Sequence, residues 1–168
     1  MLHLERDNDW FRKVFDENYQ YIRNFIYYLS GDTGIADDLS QDVFLHLWEE
    51  RHKIREATTR SYLFTVAKNN YFKHHRKKTV RLNFTSKLIA EHENESPDYI
   101  LELKEFDQKL QSAIAAIPDK TRAIFLMSRI DKMSYSEIAE NLHVSNKAVE
   151  KHMSKALQLL RKKVDRKL

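Results

Sequence analysis

Apolar side chains recur at the spacing of an amphipathic helix along nearly the whole chain. The first such segment runs roughly from Trp10 to Leu29 and ends at the turn-forming residues 30–32. Two more segments follow, at about 35–51 and 60–78. No segment has the two-residue alternation that is typical of a half-buried strand. The pattern therefore predicts an all-α protein.

The apolar pattern weakens between about 82 and 97, where acidic and small polar residues dominate, and helical periodicity resumes near Asp98. A stretch of this composition is typical of a flexible linker. We therefore expect two small helical domains, 8–80 and 104–168, joined by a flexible linker over 81–103.

The amino-acid composition narrows the class of protein. The chain has only 2 glycines, 2 prolines and no cysteine. The small number of turn formers favours helices, and the lack of cysteine excludes disulfides and thiolate metal sites. The first ten residues lack the apolar core of a signal peptide, and no stretch approaches the ~20 apolar residues of a membrane span. We expect a cytoplasmic protein without membrane insertion.

Charge is distributed in four blocks, although the formal net charge is only +4. Residues 1–53 carry net −5, 54–87 net +8, 88–133 net −3 and 134–168 net +4. Dense basic blocks bind phosphates by releasing counterions, so both are candidate nucleic-acid surfaces. Solvated helix faces explain most single charge runs, but two basic blocks in one short chain favour nucleic-acid binding.

The last basic block has the spacing of a helix-turn-helix. Ser134 and Glu137 fit a capping box at the start of a short helix, whose small Ala139 permits close helix crossing. Val144 lies in the turn, and Val149 begins the apolar stripe of a second helix. The alternative is an ordinary helical hairpin with a basic tail. The combination of cap, small residue, turn and polar face favours DNA binding.

The exposed side of that second helix predicts the DNA contacts. Ser145 is a natural N-cap for the helix. His143 occupies the turn position where a glycine in the left-handed conformation is usual, and histidine tolerates that conformation better than most residues. Polar side chains on the exposed face can read base edges and bind phosphates in the major groove. The predicted contacts are Ser145, Asn146, Lys147, Glu150, Lys151, Ser154 and Lys155.

The second predicted helix has an acidic outer side. On a 100° helical wheel, Asp38, Asp42, Leu45 and Glu49 gather opposite the apolar side. A solvated face needs no leucine, whereas a docking face with a charged rim would use one. Single exposed leucines are nevertheless common. A metal site on Asp37, Asp38 and Asp42 is the weaker interpretation, because no phosphate loop or catalytic partner accompanies them.

The third predicted helix interleaves aromatic and basic side chains. Proteins use this combination on single-stranded DNA, where bases stack on aromatic rings and cations follow the backbone. Leu63, Phe64 and Ala67 are expected in the core instead. The adjacent His74 and His75 point apart, so we expect no shared metal. The predicted DNA-binding residues of this helix are Arg60, Tyr62, Lys68, Asn69, Lys73, Arg76 and Lys77.

Three stretches, in this order, resemble the sigma-70 family of transcription initiation factors, specifically its compact extracytoplasmic-function type. They are IADDLSQDVFLHLW at 35–48, SYLFTVAKN at 61–69, and the helix-turn-helix from Ile138 through Leu157. The first looks like the family's core-binding helix, the second like its minus-ten segment and the third like its minus-thirty-five reader. Together they span nearly the whole chain.

The resemblance implies an alternative sigma factor that binds core RNA polymerase and directs promoter-specific transcription initiation. Its partners would be the clamp coiled coil and the flap of the polymerase, promoter DNA and an anti-sigma factor. The resemblance implies no catalytic residue, cofactor or metal, because polymerase supplies the chemistry. The recognition helix at 148–155 departs from commoner arginine-rich versions, so a promoter sequence does not carry over. The implied polymerase-binding residues are Asp38, Gln41, Asp42, Leu45, Trp48 and Glu49.

A LuxR-type helix-turn-helix regulator that acts without polymerase docking is the main alternative, since 147–152 also resembles the DNA-binding helix of that type. Such a regulator would need a receiver or ligand domain upstream, which the acidic, strand-poor N-terminal part does not predict. A nucleic-acid enzyme is a second alternative, but no pairing of carboxylate, histidine or serine side chains forms a credible catalytic site.

Overall fold

The computed structural model describes residues 2–82 and 108–165, and all regular structure in these ranges is helical, which confirms the all-α prediction. Two short 3-10 turns, Arg51–Lys53 and Glu56–Thr58, connect the second and third helices. Within the described ranges, no helix combines the length and the apolar character that a membrane span requires. The helices are α1 (Leu2–Ser30), α2 (Thr33–Glu50), α3 (Thr59–Leu82), α4 (108–115), α5 (Asp119–Arg129), α6 (Tyr135–Leu142) and α7 (Asn146–Asp165).

Helices α1 to α3 form the N-terminal half of the molecule. The chain reverses between α1 and α2 at Gly31, whose φ of 72° favours glycine. The Asp32 carboxylate then accepts a 2.9 Å hydrogen bond from the backbone N–H of Ile35 and so caps α2. Between α1 and α3 the rings of Phe25 and Phe64 meet edge-on at 5.1 Å. Apolar side chains from all three helices form the core of this half.

Helices α4 to α7 form the C-terminal half, with the largely buried α5 at its centre. Pro118 immediately precedes α5, where the missing N–H of a proline costs no helical hydrogen bond. The predicted capping box of α6 is confirmed. The Ser134 hydroxyl accepts from the Glu137 N–H, and the Glu137 carboxylate accepts from the Ser134 N–H at 2.7 Å. Hydrogen bonds from the Ser134 N–H and the Ser134 hydroxyl to the ionised carboxylate lower the pKa of Glu137.

The turn between α6 and α7 has the geometry expected of a helix-turn-helix. His143 adopts the left-handed conformation, with φ 54° and ψ 45°. The Val144 N–H donates a 2.9 Å hydrogen bond to the Ala139 carbonyl and closes the end of α6. The buried Val149 then packs α7 into the C-terminal core. The turn therefore fixes the direction in which α7 leaves.

The two halves pack against each other, with α1 next to α5. The Arg122 guanidinium donates a 2.6 Å hydrogen bond to the carbonyl of Leu29, at the end of α1. Gln111 of α4 donates a 3.3 Å hydrogen bond to the carbonyl of Tyr27. A single cluster of buried apolar residues includes side chains from both halves.

The described helices extend slightly beyond the predicted domain limits. Helix α1 begins at Leu2 rather than near residue 8, and α3 continues to Leu82, two residues into the predicted linker. The remaining residues of the predicted linker, including the expected return of helical pattern near Asp98, lie outside the described residues.

Candidate DNA-binding and partner-binding surfaces

The outer side of α2 is exposed, as the helical wheel predicts. Leu45 is 58% exposed and shares this side with the exposed carboxylates of Asp42 and Glu49. Asp38 and Gln41 continue the same surface toward the start of the helix. We call these five residues the acidic face. The opposite side of α2 is buried through Ala36, Leu39, Val43, Phe44 and Leu47.

Two residues beside the acidic face are held in place by other residues of the N-terminal half. The Asp37 carboxylate accepts a hydrogen bond from the Arg23 guanidinium of α1, which raises the pKa of Arg23. The Trp48 ring is half-buried and meets Phe11 edge-on at 5.3 Å. The Arg51 guanidinium lies 4.2 Å from the centre of the same ring. Trp48, an implied polymerase contact, therefore offers a partner only part of its ring.

A groove of about 580 Å³ runs between α2 and α3. Its first wall belongs to the acidic face and includes Asp42, Leu45 and Glu49. The opposite wall, on α3, consists mainly of polar and basic side chains, namely Asn69, Asn70, Lys73, His74 and Lys77. The sequence predicted an acidic docking surface and a basic DNA-binding surface separately. The fold makes them the two sides of one groove.

Helix α3 divides its side chains between the core and the surface. Leu63, Phe64 and Ala67 are fully buried, as predicted. Tyr62 is half-buried and its ring stacks on His46 of α2, with the ring centres 6.2 Å apart. Burial raises the pKa of the Tyr62 hydroxyl. The predicted DNA-binding residues that are exposed on this helix are Arg60, Asn69, Lys73, Arg76 and Lys77.

Arg60, at the start of α3, contacts the C-terminal half of the molecule. Its guanidinium donates to the Asp131 carboxylate and lies 4.8 Å from the ring centre of Tyr21. The Asp131 side chain is only 2% exposed. Burial raises the pKa of Asp131, and the pairing with Arg60 offsets part of that rise. Sequence reasoning missed Asp131, because 71 positions separate it from its partner.

A second cleft, of about 440 Å³, lies between α3 and the C-terminal half. Burial in this region lowers the pKa of Lys68. In the described part of the chain, no carboxylate lies within ion-pair distance of Lys68, Arg76 or Lys120. Three cations without an acidic partner make the cleft attractive to anions. The cleft is lined by Lys68, Asn69, Phe72, Arg76, Lys120, Ala123 and Leu142.

Helix α7 presents its predicted DNA-binding side to solvent. Val149, Met153 and Ala156 are buried on the inner side. The Ser145 hydroxyl accepts a 3.1 Å hydrogen bond from the Ala148 N–H, so Ser145 caps the helix as predicted. The Asn146 amide donates to the Ser136 hydroxyl of α6 at 3.2 Å. The remaining predicted contacts, Lys147, Glu150, Lys151, Ser154 and Lys155, are all exposed.

His152 marks a concentration of positive charge that sequence reasoning missed. Its Nδ1 lies 2.8 Å from the Thr121 hydroxyl of α5. Burial lowers its pKa, and the positive charges of Lys120, Lys155 and Lys151 lower it further. The start of α5 therefore adds a lysine to the positive field around the recognition helix, which strengthens its attraction for phosphate.

Two family models match the chain, one in each half. The model described as Sigma-70 region 2 matches residues 14–81, and the model described as Sigma-70, region 4 matches residues 107–160. The first match covers α3, α2 and most of α1, where a LuxR-type regulator would need a receiver or ligand domain. The matches therefore give no support to the LuxR-type alternative.

Individual relatives agree with the family models. The chain is 33% identical over 126 residues to the ferric citrate uptake sigma factor FecI of Escherichia coli, covering 73% of this chain and 72% of that protein. It is 24% identical over 153 residues to the ECF RNA polymerase sigma factor SigM of Bacillus subtilis, covering 87% of this chain and 92% of that protein.

Two solved structures share the fold. One is the sigma factor RpoE of Bartonella quintana, solved in complex with the anti-sigma factor NepR, with TM-score 0.77, 19% identity, and coverage of 92% of this chain and 96% of that chain. The other is CnrH in complex with the cytosolic domain of CnrY, with TM-score 0.68, 20% identity, and coverage of 92% and 87%. The chain belongs to the sigma-70 family, as an alternative sigma factor of the extracytoplasmic-function type that directs transcription initiation.

Proposed function

We propose that the acidic face of α2 docks on core RNA polymerase, that α3 engages the minus-ten element, and that α7 reads the minus-thirty-five element. The observation that carries the proposal is that one small helical chain presents an acidic surface with an apolar centre on α2 and two basic surfaces, one on α3 and one on α7. In domain terms, 8–80 would serve polymerase and the minus-ten element, and 104–168 the minus-thirty-five element.

Polymerase docking is proposed for the acidic face because of Leu45. Protein interfaces combine an apolar centre with a polar rim. A leucine that is 58% exposed beside Asp42 and Glu49 has this arrangement. The complementary partner surface would be basic with an apolar recess, and the resemblance assigns it to the clamp coiled coil of the polymerase largest subunit. Gln41 and part of the Trp48 ring would extend the contact.

The proposed minus-ten surface adjoins the docking surface. Asn69, Lys73 and Lys77 face the acidic face across the groove between α2 and α3. A DNA strand that follows these cations would therefore pass beside the docked polymerase. Tyr62 would supply an aromatic ring for base stacking, while Lys68 and Arg76 would contact phosphates.

The proposed minus-thirty-five surface is the exposed side of α7. Lys147, Glu150, Lys151 and Lys155 recur along one side of about two and a half helical turns, and a major groove admits an α-helix. Glu150 can accept a hydrogen bond from a cytosine amino group, and the lysines can donate to guanine or phosphate. Ser145 and Asn146 begin the helix, where backbone N–H groups also favour phosphate.

The chain would act with polymerase in the cytoplasm and contribute no catalytic group of its own. We also propose an anti-sigma factor as a partner. RpoE, which shares the fold, forms a complex with the anti-sigma factor NepR. A surface needed for polymerase docking is one that such a factor would cover.

Reconstituted transcription tests the proposal. The chain is added to core polymerase on a promoter library, and transcripts are sequenced. We expect transcripts from one promoter class that core polymerase alone does not produce. Transcripts identical to those of core polymerase alone would contradict the proposal. So would sequence-specific binding of duplex DNA by the chain without any affinity for core polymerase.

A further inference from the structure

The cleft between α3 and the C-terminal half combines apolar and positively charged side chains. Its apolar side chains come from α3, α5 and α6, and its cations come from α3 and α5. The apolar members are Phe72, Ala123 and Leu142, and the cations are Lys68, Arg76 and Lys120. The cleft volume of about 440 Å³ lies in the range of small-molecule sites, about 300–1,000 Å³. Such sites pair apolar walls with a few polar groups, which is the composition of this cleft.

The chain does not neutralise the positive charge of this cleft. None of the described residues that line it is acidic. Asp119, which precedes Lys120 in the sequence, instead has its carboxylate 3.4 Å from the Arg122 guanidinium. Burial lowers the pKa of Lys68, and no carboxylate in the described part of the chain offsets this effect. An anion in the cleft would therefore give these cations the partner that they lack.

Three members of the cleft lie in a row on α3. Lys68, Phe72 and Arg76 recur at every fourth residue, so they share one face of the helix, with the ring between the two cations. The row is about 12 Å long at ~1.5 Å per residue. The Arg76 Nε atom donates a 3.3 Å hydrogen bond to the Phe72 carbonyl, which leaves the donors of the two terminal nitrogens for a ligand. A ligand against the ring therefore has a cation on either side along α3, and Lys120 adds a third from α5.

The ring and the cations together suit a nucleoside diphosphate. Phe72 is half-buried, and its ring meets the Tyr71 ring at 5.3 Å, which helps to hold it in place. Nucleobases of every kind stack on an aromatic face. Ala123 and Leu142 add apolar surface from the C-terminal half. A nucleoside diphosphate carries about three negative charges near neutral pH, about two of them on its terminal phosphate, and three cations match this charge.

We propose that this cleft binds a nucleoside diphosphate, with the base against Phe72 and the phosphates among the three cations. The site goes beyond the proposed function, because Lys120 belongs to the C-terminal half and has no role in the minus-ten surface. Lys68 and Arg76 belong to both surfaces, so a bound nucleotide would withhold them from a promoter strand. Only this consequence rests on the proposed function, whereas the nucleotide site does not.

Calorimetric titrations of the full chain test the site at about 0.15 M salt and without divalent cations. The probes are ADP, inorganic pyrophosphate and a single-stranded thymidine pentanucleotide. We expect ADP to bind with a dissociation constant of about 1–100 µM. Lys120→Gln should weaken the binding of ADP and of pyrophosphate by about tenfold, because it removes a charge-assisted contact. Lys109→Gln is the matched control at an exposed lysine of the same half outside the cleft, and it should change neither affinity by more than about twofold.

A further variant tests the contact between the base and the ring. Phe72→Leu keeps an apolar side chain but removes the aromatic face. It should weaken ADP binding by about tenfold and change pyrophosphate binding by less than about twofold, because pyrophosphate has no base. Phe72 also packs against the core, so circular dichroism must show native helicity for this variant. Overhauser contacts between the adenine protons and the Phe72 ring in the parent chain check the same contact without a substitution.

The outcomes separate a free nucleotide from a DNA strand and from general attraction to a basic protein. Absence of ADP binding at about 1 mM would overturn the inference. If the pentanucleotide then still binds and loses affinity in Lys120→Gln, the cleft belongs to a DNA strand instead. Equal losses in Lys109→Gln and Lys120→Gln would also overturn the site, as would unchanged ADP affinity in a folded Phe72→Leu chain or missing Overhauser contacts. Failure of the transcription assay would contradict the proposed function and leave these titrations unaffected, so the two failures are distinguishable.

Discussion

Helices α3 and α7 are the two elements that we propose to read promoter DNA, and the fold packs them differently. The predicted contacts of α7, such as Lys147, Glu150 and Lys155, are exposed. The first turns of α3 are instead engaged by the C-terminal half through Arg60 and Thr65. Both helices carry exposed DNA-binding residue types, but only α3 also has its first turns bound to the other half of the molecule. The packing of the two halves therefore involves the proposed minus-ten surface and leaves the proposed minus-thirty-five surface exposed.

The largest expected effect comes from destabilising the core that holds α7. Val149→Asp places a charge at a fully buried position of the C-terminal core, which should destabilise that half by about 3 kcal/mol or more. Thermal unfolding followed by circular dichroism measures the loss. Ser154→Asp, at an exposed position of the same helix, is the matched control and should change stability by less than about 0.5 kcal/mol. Equal stability of the two variants would mean that Val149 does not support α7.

The next largest effect is expected on polymerase docking, because neither α3 nor α7 is proposed to bind polymerase in place of the acidic face. Asp42→Lys combined with Leu45→Ala should weaken binding to core polymerase by about 2–4 kcal/mol, or about 30- to 1000-fold, while the helix stays folded. Both side chains are exposed, so the core is untouched. Competition binding with labelled core polymerase gives the measurement. Asp16→Lys makes the same charge reversal at an exposed position of α1, and this variant should bind core polymerase normally. Normal binding by the double variant would show that the acidic face is misassigned.

Local sequence patterns predicted the helices, their caps and their exposed faces, because each of these features depends on residues only a few positions apart. The spacing of Ser134 and Glu137 was enough for the capping box, and the position of His143 was enough for the left-handed turn. Helical periodicity likewise predicted the exposure of Leu45.

The contacts that distinguish α3 from α7 could not be predicted in this way. Asp131 lies 71 positions from Arg60, and Asn141 lies 76 positions from Thr65. Nothing in the local pattern around Asp131 indicates that its carboxylate is buried, since that burial depends on how the halves pack. The cleft around Lys68 and Lys120 escaped prediction for the same reason.

A smaller effect should separate base recognition from phosphate binding on α7. Glu150→Ala should relax the base preference at one or two positions, with a change of ~1–3 kcal/mol at those positions. Lys155→Ala is the contrasting variant. If the Lys155 side chain contacts phosphate, this variant should bind all sequences more weakly by the same factor, and the log–log slope of affinity against salt should fall by about one unit. Promoter-library selection at fixed salt and a salt titration measure these effects. An unchanged base preference in Glu150→Ala would remove this residue from the recognition surface.

The smallest expected effect is a pH dependence of the packing between the two halves, which involves α3 and not the exposed side of α7. Asp131 faces Arg60 of α3 and, at longer range, Glu137 of α6, and its pKa is raised above the ordinary 3.8 mainly by burial. If the halves separate, the carboxylate is hydrated and its pKa returns toward the ordinary value. Packing of the halves therefore takes up protons wherever the packed and separated forms differ in protonation.

The sign of this linkage is opposite to that of most ion pairs. A raised pKa in the packed form stabilises the packing fully below the ordinary pKa, and this stabilisation is lost as the pH rises through the raised value. Fluorescent labels at Asp16→Cys and Gln158→Cys report the separation of the halves by energy transfer. The transfer should increase as the pH is lowered from neutral toward about 4, by about twofold in the ratio of packed to separated chains. Asp131→Asn keeps an acceptor for Arg60 but cannot titrate, so it should flatten the profile. A profile that keeps its slope in Asp131→Asn would assign the dependence to another group and leave Asp131 with a purely structural role.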